Sequence, residues 1–111
     1  MPASALADLH LHTRFSDGIV SPQRVLELAR QAGLSALAIT DHDTMEAIPV
    51  AEPLAKPYGL ELIPGIEMSA SAEGLEVHVL GFFLDRTDTA LQRHLSEQKA
   101  RRVARIEEMV K

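Results

Sequence analysis

Asp8-Leu9-His10-Leu11-His12, followed five residues later by Asp17-Gly18, gathers metal-ligating side chains near the amino terminus. In a β-strand alternate side chains share a face, so His10 and His12 project together while Leu9 and Leu11 pack behind them. Asp17, on the loop leaving that strand, is placed to close over the same ion. Three more side chains of ligand type stand at later strand ends: His42 after Ile39-Thr40-Asp41, Glu67 after Pro64-Gly65, and His78. A hairpin turn centred between Ala72 and Glu73 puts His78 directly opposite Glu67, about 5 Å away between Cβ atoms. Four imidazoles and two carboxylates are more donors than one ion takes comfortably, and they fit two or three ions sharing carboxylate bridges. Clusters of that kind hydrolyse phosphate esters with metal-activated water and need no side-chain nucleophile.

The elements that must position these residues follow from pattern and punctuation. A loose end over residues 1 to 5 precedes a strand over residues 6 to 12, and Ser16-Asp17-Gly18 has turn chemistry. Ser21 caps a helix with Pro22 in its first turn, an apolar stripe at Val25, Leu28, Ala29 and Ala32, and a stop at Gly33. Residues 34 to 40 read as a strand buried on both faces, which makes a βαβ unit with a parallel pair. In such sheets functional residues collect at the carboxyl ends of the strands, where His10, His12, Asp41 and His42 fall. Residues 44 to 57 are helical in part, with Thr44 as cap; Pro49 and Pro53 favour a kinked or broken helix. Strands follow over residues 60 to 69, bent at Pro64-Gly65, and over residues 75 to 84. From Asp88 a long helix carries Leu91, Leu95, Val103, Ile106 and Val110 on one side. Arg93, Lys99, Arg101, Arg102 and Arg105 lie on the other, a solvated face supported by Glu97, Glu107 and Glu108 or, alternatively, a phosphate-binding one. Asp41 and Asp43 suit helix capping as well as metal contact. Phe15 is placed for base stacking or for packing as a lid.

Composition narrows the function classes. A chain of 111 residues with 46% hydrophobic and 24% charged residues is an ordinary globular domain. Without cysteine, disulfides and thiolate metal sites are excluded, so any metal must be held by nitrogen and oxygen. A net charge of -5 argues against bulk attraction to duplex DNA or to an anionic membrane. No apolar run is long enough to span a bilayer and no signal pattern opens the chain, which makes the cytoplasm the expected location.

Asp8-Leu9-His10-Leu11-His12-Thr13, Ser16-Asp17-Gly18, Ile39-Thr40-Asp41-His42-Asp43, Gly65-Ile66-Glu67 and His78-Val79-Leu80-Gly81 together resemble the PHP (polymerase and histidinol phosphatase) family. The five blocks stand in its order and approximate spacing. The resemblance implies an α/β fold, here the N-terminal half of a distorted (β/α)7 TIM-like barrel over residues 1 to 86. The first helix of a helical insertion would follow over residues 87 to 111. It implies metal-binding roles for His10, His12, Asp17, His42, Glu67 and His78, with Glu67 bridging and Asp8 orienting a histidine by a hydrogen bond. The metal centre is expected to be trinuclear in the full-length protein, with manganese, iron or zinc. The family's three further ligands, a histidine and an aspartate-x-histidine pair, come from a C-terminal half that the sequence does not reach, and His94 is no substitute. The expectation is therefore an amino-terminal part of a longer protein, with an open barrel edge prone to self-association.

Asp43-Thr44 looks less like the polymerase-associated version of the family, and the segment from Gly81 through the arginine-rich helix is similar to the small bacterial branch containing RNase AM and the nucleoside 3',5'-bisphosphate phosphatases. That branch implies hydrolysis of 3',5'-bisphosphonucleotides or of short RNA from the 5' end. A histidinol-phosphate type phosphatase is the second reading. A non-catalytic metal-binding half-barrel, completed by further chain or by a partner, is the third.

Overall fold

The computed structural model describes residues 5–110, so the first four residues of the expected loose end lie outside the described residues. The elements run β1 (Ala7–Leu11), α1 (Pro22–Gln31), β2 (Ala36–Ile39), α2 (Ala47–Ala55), β3 (Glu61–Ala72), β4 (Leu75–Phe82) and α3 (Thr89–Met109). The strands form one sheet in the order β1-β2-β3-β4, with β1, β2 and the first part of β3 parallel. The expected α/β half-barrel architecture is present: a curled sheet of four strands accompanied by three helices.

β2 is the centre of the core. Leu37, Ala38 and Ile39 are all buried, as the continuous apolar run requires of a strand covered on both faces. Leu37 and Ile39 join one apolar cluster with Val25, Leu26 and Ala29 of α1 and with Ala47, Ile48, Ala51 and Ala55 of α2. Ser21 caps α1 by accepting the Arg24 N–H at 3.1 Å, with Pro22 in the first turn where its missing N–H costs nothing. The buried stripe of α1 is Pro22, Val25, Leu26 and Ala29, a regular i, i+3, i+4, i+7 set. The stripe expected from the sequence was rotated one position too far: Leu28 and Ala32 face solvent while Leu26 is fully buried.

α2 is one continuous helix rather than a broken one. Pro49 sits in its first turn, where backbone N–H groups have no intrahelical partner, so only Pro53 removes a helical hydrogen bond. Thr44 does not cap the helix; its hydroxyl accepts the Glu46 N–H in the preceding turn.

β3 changes partners along its length. Glu61 to Pro64 pair with β2, and Gly65 to Ala72 pair antiparallel with β4. The change falls at Pro64-Gly65, where a Cβ on Gly65 would stand 2.8 Å from Thr40 Cγ2 and 3.0 Å from the Gly81 carbonyl oxygen. Only a residue without a side chain lets three strands approach so closely.

The hairpin register differs from the expected one. Glu73 and Gly74 form a two-residue turn with φ of 52° and 81°, Ala72 pairs with Leu75, and His78 stands opposite Ser69 rather than Glu67. Because the slip is two residues, it leaves His78 on the same face as Glu67. α3 is the long helix expected from Asp88. Its start is capped by Asp88, which accepts the Leu91 N–H, but of its apolar side only Leu91 and Leu95 join the core; Val103, Ile106 and Val110 are exposed. Among the described residues no helix is long and apolar enough to cross a membrane.

Candidate metal centre

The six side chains singled out by type converge at the carboxyl ends of β1 and β2 and on one face of β3 and β4. Glu67 is their hub, with a side chain only 8% exposed. Its Oε1 lies 2.8 Å from His10 Nε2, 2.8 Å from His12 Nε2 and 3.7 Å from His42 Nε2, and its Oε2 lies 3.2 Å from His78 Nδ1. Asp17 faces the other side of the cluster: its carboxylate pairs with His12 Nδ1 and stands 3.2 Å from His42 Nε2. Successive ring centroids from His10 through His12 and His42 to His78 are 5.1, 4.6 and 5.1 Å apart.

Each ligand-type residue arrives there by an identifiable local device. β1 carries a bulge between Asp8 and Leu11; His10 and His12 project together as expected and Leu11 packs against the core, but Leu9 is exposed. Bulges re-aim side chains beside functional sites. The Asp8 carboxylate accepts the backbone N–H of His10 at 3.1 Å inside that irregularity. It therefore supports the bulge and does not orient an imidazole as expected.

Asp17 is held by the loop between β1 and α1. Asp41, only 1% exposed, accepts from Thr13 N at 2.6 Å, Thr13 Oγ1 at 2.7 Å and Ser16 Oγ at 2.7 Å. Both of its oxygens are committed to that loop, so it neither caps a helix nor faces the cluster. Gly18 completes the loop: a Cβ there would meet the His12 carbonyl oxygen at 2.6 Å, so only glycine lets the segment fold back on the end of β1. His42 and Glu67 face each other through a parallel bridge that prolongs the β2-β3 ladder. None of the roles of Asp41, Asp43, Thr13 and Ser16 was assigned from the sequence. The dense polar run from Thr40 to Asp43 was the available signal.

The electrostatics suit cation binding. Burial works against ionising Glu67, but the hydrogen bond from His10, electrostatic attraction to His42 and His10 and the His12 contact outweigh it and hold its pKa below the ordinary value. The hydrogen bond to His12 lowers Asp17 in the same direction. His78 is raised, first by its hydrogen bond to Glu76 at 3.1 Å and also by Glu67. His12 Nε2 is a buried ring nitrogen with no hydrogen-bond partner, although a carboxylate oxygen stands 2.8 Å away out of alignment. A buried lone pair without a proton donor, beside a second imidazole and an ionised carboxylate, is a fitting environment for a divalent cation. Three overlapping trios meet the spacing for an ion: His10, His12 and Glu67; His12, Asp17 and His42; His42, Glu67 and His78. Any two trios share one residue.

Beside the cluster a cleft of about 500 Å³ runs from His42 and Phe15 to α3, which contributes Leu95, Lys99 and Arg102. Its cations are all paired: Arg102 with Asp43 at 2.6 Å and Lys99 with Glu46 at 3.9 Å within the lining, and Arg86 with Glu52 at 3.2 Å outside it. The basic side of α3 is thus partly an anchoring face rather than a wholly solvated one.

Known proteins are similar to this chain in sequence and in fold. The family described as PHP domain matches residues 8–109. The chain is 41% identical over 102 residues to a 5'-3' exoribonuclease of Haemophilus influenzae, a match covering 92% of this chain and 37% of that protein. It is 33% identical over 102 residues to a 3',5'-nucleoside bisphosphate phosphatase of Chromobacterium violaceum, covering 92% and 36% respectively. A solved structure from Bifidobacterium adolescentis, described as a candidate metal-dependent phosphoesterase, superposes with a TM-score of 0.88 at 37% identity, over 98% of this chain and 38% of that one. The chain spans about a third of the length of the curated relatives it matches.

Proposed function

Because the chain belongs to the PHP domain family, we propose that His10, His12, Asp17, His42, Glu67 and His78 hold a divalent metal cluster serving phosphate-ester hydrolysis. The observation that carries this reading is the set of three interlocking trios, two of which contain the buried Glu67 carboxylate. Of the residues shared between trios, Glu67 alone could serve two ions, because its two oxygens face different imidazoles whereas a neutral imidazole offers one lone pair; His12 and His42 would each hold a single ion. Manganese, iron and zinc all accept such imidazole and carboxylate donors. The bound cluster supplies an acidified water and positive charge for the phosphoryl oxygens.

The chain's own residues have separable tasks. Glu67, kept ionised, brings negative charge to the centre of four imidazoles. Asp17 orients His12 through Nδ1, leaving the buried Nε2 lone pair free for a cation. Glu76 holds a proton on His78 Nε2, which leaves Nδ1 as the nitrogen turned toward Glu67. Asp41 keeps Asp17 in reach by fixing its loop.

For the substrate we favour a phosphorylated nucleotide, either a 3',5'-bisphosphonucleotide or the 5' end of a short RNA. The names of the relatives support that class. So does a cleft of nucleotide size lined by His42 and Phe15. We assign residues 1 to 86 to the phosphoesterase domain and residues 87 to 111 to the start of a helical insertion, and we place the protein in the cytoplasm.

The test is metal content by mass spectrometry together with hydrolysis of p-nitrophenyl phosphate, a 3',5'-bisphosphonucleotide and histidinol phosphate. The expected result is bound metal and preference for the bisphosphonucleotide. Preference for histidinol phosphate would redirect the substrate assignment, and tight metal binding with no turnover by the 111-residue chain would favour the metal-binding module. A His10→Ala, His12→Ala double variant that keeps its metal would sink the metal assignment.

A further inference from the structure

The ladder between β2 and β3 does not stop where β2 ends. Glu67 N–H donates to the Asp41 carbonyl at 3.0 Å and Asp43 N–H donates to the Glu67 carbonyl at 3.0 Å, the two rungs that flank the bridge between His42 and Glu67. A parallel ladder would continue with Ser69 N–H donating to the Asp43 carbonyl. At Asp43, however, the backbone turns into the left-handed region, with φ of 54°, and its carbonyl leaves the ladder. The missing rung is supplied by the side chain: Ser69 N–H donates to Asp43 Oδ1 at 3.0 Å. The second oxygen, Oδ2, accepts Arg102 Nη2 of α3 at 2.6 Å, across 59 residues of sequence. The Asp43 side chain is only 5% exposed, so Arg102 is the counter-charge that makes its burial tolerable.

We infer that Asp43 is a positioning residue: its side chain fixes the register of His42 against Glu67, and its ion pair with Arg102 ties that register to the wall of the cleft formed by α3. The part that concerns metal rests on the metal centre proposed above; the register itself does not. Two oxygens with two different duties make the duties separable by substitution. Asp43→Asn keeps an oxygen for Ser69 N–H but presents a neutral amide to Arg102. Asp43→Ala loses both contacts. Arg102→Ala loses only the tie to α3, and Arg102→Lys restores the charge without the planar fork.

Amide hydrogen exchange of the metal-free chain reads the register, and Mn²⁺ titration by calorimetry reads its consequence. In Asp43→Ala the Ser69 and Glu67 amides and the α3 amides are expected to lose protection while those of α1 do not. In Asp43→Asn and Arg102→Ala only the α3 amides lose it, and Arg102→Lys recovers part. Support of this kind around a metal site is worth about 10- to 100-fold in affinity, so Asp43→Ala is expected to weaken Mn²⁺ binding by about that factor. Unchanged Ser69 protection in Asp43→Ala overturns the inference, as does Mn²⁺ affinity equal to that of the unaltered chain. Should Asp43→Ala not fold, α3 protection in Asp43→Asn and Arg102→Ala equal to that of the unaltered chain overturns the tie. Absence of Mn²⁺ binding by the unaltered chain would instead count against the metal centre, leaving the register to be judged by exchange at Ser69.

Discussion

Replacing Asp41 by asparagine tests whether a buried carboxylate outside the ligand set controls the site. Three donors converge on Asp41: Thr13 N, Thr13 Oγ1 and Ser16 Oγ, all between 2.6 and 2.7 Å, around a residue 1% exposed. Hydrogen bonds to a charged acceptor contribute about 1.5–3 kcal/mol each against about 0.5–1.5 for neutral ones, so the substitution weakens the two bonds into Oδ1 by about 1 kcal/mol each and, with an NH2 group in place of Oδ2, reverses the Thr13 Oγ1 bond so that the hydroxyl accepts, at a similar cost. The neutral amide is cheaper to bury than the carboxylate, which offsets part of that loss and leaves about 2 kcal/mol. With a urea dependence of about 2 kcal/mol per molar, the unfolding midpoint falls by about 1 M. The assay is urea denaturation followed by circular dichroism, with Thr13→Val as the partner in a double-mutant cycle, because bonds in one network are not additive. The same substitution loosens the loop bearing Asp17, so Mn²⁺ affinity is expected to fall about 10-fold or more. A midpoint shift under about 0.3 M, together with additive effects in the cycle, would refute the view that Asp41 clamps this loop.

Other substitutions probe separate parts of the argument. Gly18→Ala forces a methyl group against the His12 carbonyl and displaces the Asp17 loop; calorimetry should show weaker Mn²⁺ binding while far-ultraviolet circular dichroism keeps its helical signal. Leu26→Ala removes a fully buried side chain where α1 meets the core, and thermal or urea unfolding should show a loss of about 2–5 kcal/mol. Asp85 accepts from Thr87 N at 2.9 Å and Thr87 Oγ1 at 2.5 Å, and these bonds hold its pKa below the ordinary 3.8. A lowered carboxylate pKa gives stability that is present above pH 3.8 and lost as pH falls through the folded-state value. Asp85→Asn should therefore flatten the acid limb of stability against pH below 3.8 and leave the slope near neutrality unchanged.

The convergence of the six candidate ligands was legible in the sequence because residue type is a property of single positions and strand-end placement follows from short-range pattern. His10 and His12 announced a shared face, and the apolar run ending at Thr40-Asp41-His42 announced a buried parallel strand with polar chemistry beyond it. Capping of α1 by Ser21-Pro22 is equally local, and the structure has it where the residues predict. What the sequence could not determine depended on distances between segments far apart in the chain. The hairpin register turned on whether Glu73-Gly74 or Ala72-Glu73 formed the turn, a difference of one position in sequence that moves every pair by two. Helix periodicity told that α1 and α3 have apolar sides but not which part meets a partner, so Leu26 and Leu28 were exchanged, and only the structure shows that the apolar side of α3 meets the core at Leu91 and Leu95 alone. The duties of the two aspartates flanking His42 were the furthest from reach. Asp41 serves a loop 28 residues earlier and Asp43 an arginine 59 residues later, and only the tertiary fold brings donors to buried carboxylates across such separations.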